Sequence, residues 1–196
     1  LETATIAWVR GFGFMDRLRV PFDPSDRDNG IAIGTWPVAS MYQPHTIVAA
    51  EVAGRTLLFT ANEGDGLDYP GFSERARVAD LPLDPAAFPD ADRLKADAAL
   101  GRLWASRLGG DVDGDGDLDQ IRTFGGRSFS IWDDAGRLVF DSGADFERIT
   151  AERLPRHFNS TEDDNASFDQ ASPNKGPEPQ GLAVLTVAGR TFAFIS

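Results

Sequence analysis

Apolar and polar positions alternate in short runs along most of the chain, and the runs come in pairs. Thr46–Val52 is followed by residues 56–60, and Leu182–Val187 by residues 191–195, each pair separated by a short turn containing Gly. Between them, residues 120–140 repeat the arrangement, with Phe129-Ser130-Ile131-Trp132 before a turn and Leu138-Val139-Phe140 after it. Period-two runs flanking such turns predict β-hairpins. The turns share the tripeptide Ala-Gly-Arg, at Ala53, Ala135 and Ala188. The first and last sit in a longer match, Val-Ala-Gly-Arg-Thr, at an offset of 135 positions. Pro44 and Pro179, Ile47 and Leu182, and Phe59 and Phe194 align at the same offset. That offset is three periods of about 45 residues, the length of a four-stranded propeller blade.

One stretch follows a different period. After Asp90, a possible N-cap, Ala96, Leu100, Leu103, Trp104 and Leu108 recur at helical spacing, and Gly109-Gly110 would end the helix. A helical insertion is therefore expected over residues 90–108. Residues 159–179 are polar and turn-rich, and predict a long loop. The fold expected is all-β: antiparallel propeller blades with one inserted helix, in a single domain over residues 1–196. A propeller closes with about four to eight blades, whereas 196 residues hold three clear hairpins. The sequence thus predicts about three to four blades of a larger propeller.

Composition sharpens this picture in two places. With 31 acidic and 19 basic residues the net charge is −12, which argues against nucleic acid and anionic membrane surfaces as partners. There is no Cys, which removes disulfides, thiolate nucleophiles and Cys-based zinc sites. No apolar run approaches the roughly 20 residues of a membrane span, so no membrane insertion is expected. Two histidines are too few for the usual zinc sites, and neither a Gly-x-Ser-x-Gly elbow nor a Walker loop occurs. Asp141-Ser142-Gly143 reads as an ordinary turn at a strand end.

The densest chemistry is Asp-Val-Asp-Gly-Asp-Gly-Asp-Leu-Asp at residues 111–119. Hard divalent cations take oxygen ligands, about six to eight for calcium. Asp111, Asp113 and Asp115 stand at alternate positions, Gly116 where the chain must turn sharply, Asp117 where a backbone carbonyl would bind, and Asp119 to bind directly or through water. Arg122 stands where a helical calcium sensor carries its bidentate Glu, so a loop between strands is expected. Ca2+ is the expected cofactor. Loops of this extracellular type bind at roughly 10⁻⁴–10⁻³ M, which fits a secreted location, extracellular or periplasmic.

Several segments resemble the choice-of-anchor I or alkaline-phosphatase-like secreted proteins, which include the mesenchyme-specific cell-surface glycoprotein type. They are Asp23-Pro24-Ser25-Asp26-Arg27-Asp28, Met41-Tyr42-Gln43-Pro44, Thr60-Ala61-Asn62-Glu63-Gly64-Asp65, Gly71-Phe72-Ser73-Glu74, the 111–119 loop, and the run from Phe124 to Trp132. Phe158-Asn159-Ser160-Thr161 and Lys175-Gly176-Pro177-Glu178-Pro179 complete the set. The resemblance implies a phytase/esterase-like propeller of about seven blades and a phosphatase label. It also implies acids where this chain has His45 and Gln180, two positions equivalent under the 135-residue offset.

A calcium-dependent phosphomonoesterase would need clustered carboxylates and cationic groups on the phosphate. Glu63, Asp65 and Glu178 are the candidate catalytic acids. Arg75, Arg127 and Lys175, with Arg77 beside them, are the candidate phosphate ligands for a phosphate ester substrate. The alternative is a non-catalytic adhesion or interaction propeller stabilised by calcium.

Overall fold

The computed structural model describes residues 5–6 and 9–196. Short strands dominate the described residues. A five-stranded sheet runs in the order β1 (Phe14–Asp16), β2 (Val38–Met41), β9 (Ile121–Thr123), β8 (Trp104–Ser106), β7 (Arg75–Arg77). Its β2–β9 pair is parallel and the others are antiparallel. A four-stranded antiparallel sheet runs β11 (Leu138–Asp141), β10 (Ser128–Asp133), β4 (Arg55–Asn62), β3 (Thr46–Val52). Two further hairpins are β5 (Asp68–Tyr69) with β6 (Phe72–Ser73), and β12 (Leu182–Val187) with β13 (Arg190–Ile195). The protein is thus all-β in character, and among the described residues its sheets do not close into a barrel.

The predicted hairpins form, and the repeat is visible in the backbone. Val52 pairs with Arg55 across one turn and Val187 with Arg190 across the other. The two central residues are left-handed in both, at φ 51° and 75° for Ala53-Gly54 and 49° and 76° for Ala188-Gly189. That is the type I′ geometry whose twist matches a hairpin. The repeat extends past the strands: the His45 amide donates to the Ala61 carbonyl at 2.8 Å, and the Gln180 amide to the Ser196 carbonyl at 2.8 Å. The middle Ala-Gly-Arg makes a different turn. Only Gly136 is left-handed there, and the Asp133 carboxylate accepts the Ala135 and Arg137 amides at 3.0 and 2.8 Å.

The expected helix over 90–108 is corrected. An α-helix, α1, spans only Ala91–Leu94. The chain then turns on itself, with the Leu100 amide bonded to the Leu94 carbonyl and the Gly101 amide to that of Ala96. Of the positions read at helical spacing, Leu100 and Leu103 are buried in the main apolar core beside Leu94, whereas Ala96 is exposed, so the spacing marked two core residues but assigned them the wrong backbone. Trp104 opens β8 instead, held between β7 and β9, and Leu108 is exposed. Asp90 does not cap the helix; its carboxylate pairs with Arg93. The longest helix, α2 (Asp145–Arg153), falls where no helix was expected.

The main core joins Phe22, Val38, Val78, Leu83, Leu118 and Ile121 to the leucines above. A second cluster gathers Met15, Tyr42 and Trp132, with the Trp132 indole donating to Thr60 Oγ1 at 2.9 Å. Residues 159–179 hold neither helix nor strand, as expected of a loop. They are nonetheless packed: Asn159, Ser167, Asp169 and Ser172 are buried. No helix among the described residues is long and apolar enough to cross a membrane.

Candidate functional site

The acidic loop connects β8 to β9 and is tied to the core at one point. Leu118 is buried; its amide donates to the Pro82 carbonyl at 2.8 Å and its carbonyl accepts the Asp84 amide at 3.1 Å. The Asp111 carboxylate draws the loop round, accepting the Gly114 amide at 2.6 Å and the Gly116 amide at 3.1 Å. Gly116 takes φ 103°, a conformation that costs a side-chain-bearing residue energy. Asp119 closes the loop by accepting the Val112 amide at 2.7 Å.

This winding gathers one carboxylate oxygen each from Asp111, Asp113 and Asp115 within 4.8 Å of one another. Ligand oxygens lie about 2.3–2.6 Å from calcium, so three oxygens that close can share one ion, and the donor set fits. Asp117 and Asp119, the other two predicted ligands, are outside the triad. The Asp113 carboxyl is raised from its ordinary value: the Asp115 amide pulls it down, but the charge of Asp115, then desolvation, and then Asp119 and Asp111 outweigh that. Asp117 is raised as well, by desolvation and then Asp115. The loop holds its acids against their mutual repulsion, which a cation would relieve.

The second cluster is built on Glu63, at the end of β4 and 4% exposed. Its position is fixed by close backbone contact: a Cβ added to Gly125 would lie 1.7 Å from the Glu63 carbonyl oxygen. Glu63 Oε1 accepts from Lys175 Nζ, and from Gln180 Nε2 at 3.1 Å. Oε2 lies 2.6 Å from His45 Nδ1. Lys175 Nζ is also 3.4 Å from Glu178 Oε2. Burial raises the Glu178 carboxyl, with Lys175 opposing. Burial lowers the Lys175 ammonium, but its bond to Glu63 and the nearby Glu178 turn the net shift upward.

Six of the seven candidate residues for phosphate ester chemistry therefore come together. Asp65, Arg75, Arg77, Lys175 and Glu178 line one cleft of about 450 Å³, and Glu63 stands behind Lys175. Arg75 is 3.5 Å from Asp65 and 2.5 Å from Asp68. Arg127 is not among them. It is 4% exposed, paired with Glu147 at 2.9 Å, and donates to the Asp23 and Ser172 carbonyls at 2.9 and 2.6 Å. Its role is to hold the 159–179 loop and α2 against the sheets. The Glu63 cluster does not fit a divalent cation, because Lys175 already neutralises the carboxylate a metal would need.

Sequence reasoning missed Trp104, assigned to a helix but placed on β8 beneath Arg77, whose guanidinium carbon is 3.7 Å from the ring centroid. It also missed Glu147. No local pattern marks either residue, since their partners are distant in the chain.

No solved structure matches this chain. Gigasin-3a of Magallana gigas is 34% identical over 107 residues, covering 52% of this chain and 37% of that protein. The chain therefore matches little more than a third of that relative's length. The family profile of the choice-of-anchor I domain matches residues 1–196. From its first residue to its last, the chain belongs to the choice-of-anchor I domain family.

Proposed function

We propose that this domain is a non-catalytic extracellular interaction module whose sheets are stapled by calcium at the 111–119 loop. The observation that carries this is the convergence of Asp111, Asp113 and Asp115 oxygens within 4.8 Å, on a loop that joins two strands of one sheet. An ion there would clamp the β8–β9 connection, and affinities of roughly 10⁻⁴–10⁻³ M for such loops suit extracellular calcium. The paired hairpins with identical type I′ turns support their being blade elements of a propeller. The test is thermal unfolding of the parent and Asp113→Ala, in millimolar calcium and in chelator. Calcium should raise the parent's Tm and leave the variant's unchanged. Equal calcium responses would sink the assignment.

A calcium-dependent phosphomonoesterase is the second reading, favoured by the gathering of Asp65, Arg75, Lys175 and Glu178 around one cleft. Against it, the most buried acid, Glu63, is engaged by Lys175, His45 and Gln180 rather than free to hold a metal. Hydrolysis of an aryl phosphate that needs calcium and is lost in Glu178→Gln would establish this reading over the first.

A further inference from the structure

The 135-residue offset aligns two hairpins residue for residue, so each shows what the other lacks. β4 is the counterpart of β13: Phe59 answers to Phe194, Leu58 to Ala193 and Thr60 to Ile195. β4 is paired on both sides, with β3 on one and β10 on the other. Among the described residues, β13 is paired with β12 alone. Two strands by themselves are marginally stable in water, and a third is the usual support.

The bare edge carries a defined set of backbone groups. The Ser196 amide donates to the Gly181 carbonyl at 3.0 Å, and the Gly181 amide to the Ser196 carbonyl at 3.1 Å. Such mutual pairs alternate along an antiparallel ladder, so the amides and carbonyls of Thr191, Ala193 and Ile195 point away from β12. In β4 the counterparts of Ala193 and Ile195 lie opposite Trp132 and Ser130 of β10. Unpaired edges are usually guarded by a charge or a proline. Residues 191–196, Thr-Phe-Ala-Phe-Ile-Ser, hold neither.

The side chains make the same comparison. Phe59 is 3% exposed and stacks on Phe129 of β10, with ring centroids 6.2 Å apart and Ile131 directly opposite it. Phe194 is 59% exposed. Phe192 shares its face, as do their β12 partners Leu185 and Ala183, and all of them are exposed. The first hairpin thus shows what the second one's edge takes. β10 is antiparallel and uncharged from Ser128 to Trp132, with aliphatic Ile131 opposite Phe59 and aromatic Phe129 opposite Ala61, the counterpart of Ser196. A row of outward amides and carbonyls is matched by another backbone.

We propose that β13 is a strand acceptor: it docks an extended segment of another polypeptide, antiparallel and uncharged over its middle, with an aliphatic side chain opposite Phe194 and an aromatic one opposite Ser196. Backbone pairing supplies the affinity, and the two apolar positions the selectivity. Docking turns the two-stranded hairpin into a three-stranded sheet and covers Phe194 as Phe129 covers Phe59. It rests on the interaction-module reading, to which it gives a surface and a partner, and it needs no cation in the loop.

The test uses the whole chain and a fluorescent peptide spanning residues 127–133, which presents the β10 sequence as a free strand. Anisotropy should rise saturably as chain is added, and the Thr191, Ala193 and Ile195 amides should exchange more slowly with the peptide bound. A peptide carrying Ile131→Asp should not bind. Ala193→Pro removes an outward amide and no bond to β12, and should abolish binding. Phe194→Asp, at an exposed position, should abolish it with Tm unchanged. A chain that ignores the unaltered peptide would overturn the strand-acceptor role and leave the calcium staple, read from Tm with and without calcium, untouched. Binding that survives Phe194→Asp, or that leaves those three amides unprotected, would put the peptide elsewhere and overturn it too. Sedimentation of the chain alone decides the source: a dimer that Phe194→Asp dissolves would put a second copy on this edge and overturn the choice of partner.

Discussion

His45 and Gln180 stand at the same position of two equivalent hairpins and reach the two oxygens of one carboxylate. His45 Nδ1 meets Glu63 Oε2 at 2.6 Å, and Gln180 Nε2 donates to Glu63 Oε1 at 3.1 Å. The resemblance noted from sequence implies acids at both places. Here a neutral amide and an imidazole stand there, and Lys175 completes the shell. Placing acids there with His45→Glu and Gln180→Glu together would crowd four carboxylates, Glu63 and Glu178 included, around one lysine. The double variant should lose about 1–3 kcal/mol in chelator and recover part of it in millimolar calcium, as read by denaturant melts. A variant as stable as the parent in chelator would contradict this account of Glu63.

Lys175→Met removes the only Lys or Arg ion-paired to Glu63 among the described residues. A fully buried ion left unpaired costs about 3–5 kcal/mol, but Lys175 is 24% exposed, so solvent screening reduces the expected loss to about 1–3 kcal/mol. Adding Glu63→Gln to Lys175→Met should restore most of the difference, because the more buried of the two acids that Lys175 pairs with no longer carries a charge, and only the more exposed Glu178 is left without it. Additive losses in the double variant would show that the pair is not coupled.

Burial raises Asp169 to about 7 and Asp23 to about 6. A carboxyl that holds its proton more tightly folded than unfolded favours the folded state at low pH. Its penalty begins near the unfolded value of about 4 and is complete once pH exceeds the folded value. Asp169→Asn keeps an acceptor for Ser172, whose hydroxyl lies 2.5 Å from Asp169 Oδ1. It should therefore raise Tm at pH 8 and have no effect at pH 4. A Tm difference independent of pH would show that Asp169 does not titrate in this window.

The type I′ turns place Ala53 and Ala188 in the left-handed region, at φ 51° and 49°. An L-residue there costs roughly 1–2 kcal/mol, and Asn tolerates it better. Ala53→Asn should stabilise by about 0.5–1 kcal/mol. Ala135→Asn, in the turn where only Gly136 is left-handed, should not. Equal gains at both positions would mean that turn conformation is not the cause.

The hairpins were legible because their determinants are local: a period-two run, a turn tripeptide, a second run. The acidic loop was legible for the same reason. The stretch after Asp90 was not, because Ala96, Leu100 and Leu103 satisfy a helical period while the backbone there makes a compact turn. Gly101 shows why: a Cβ there would lie 2.2 Å from the Lys95 carbonyl oxygen, a close approach that no helix supplies. Glu63 could be named as a candidate, but its partners Lys175 and Gln180 lie 112 and 117 residues away, and only the fold brings them near. Arg127 shows the converse. Its charge suggested ligand binding, and nothing local announced that Glu147, 20 residues on, would bury it.

Leu118 lies inside the acidic loop and also in the main hydrophobic core. If the loop holds calcium, as proposed, an ion there would brace a segment from which a core side chain hangs, so that packing around Leu118 would tighten with the cation and loosen without it.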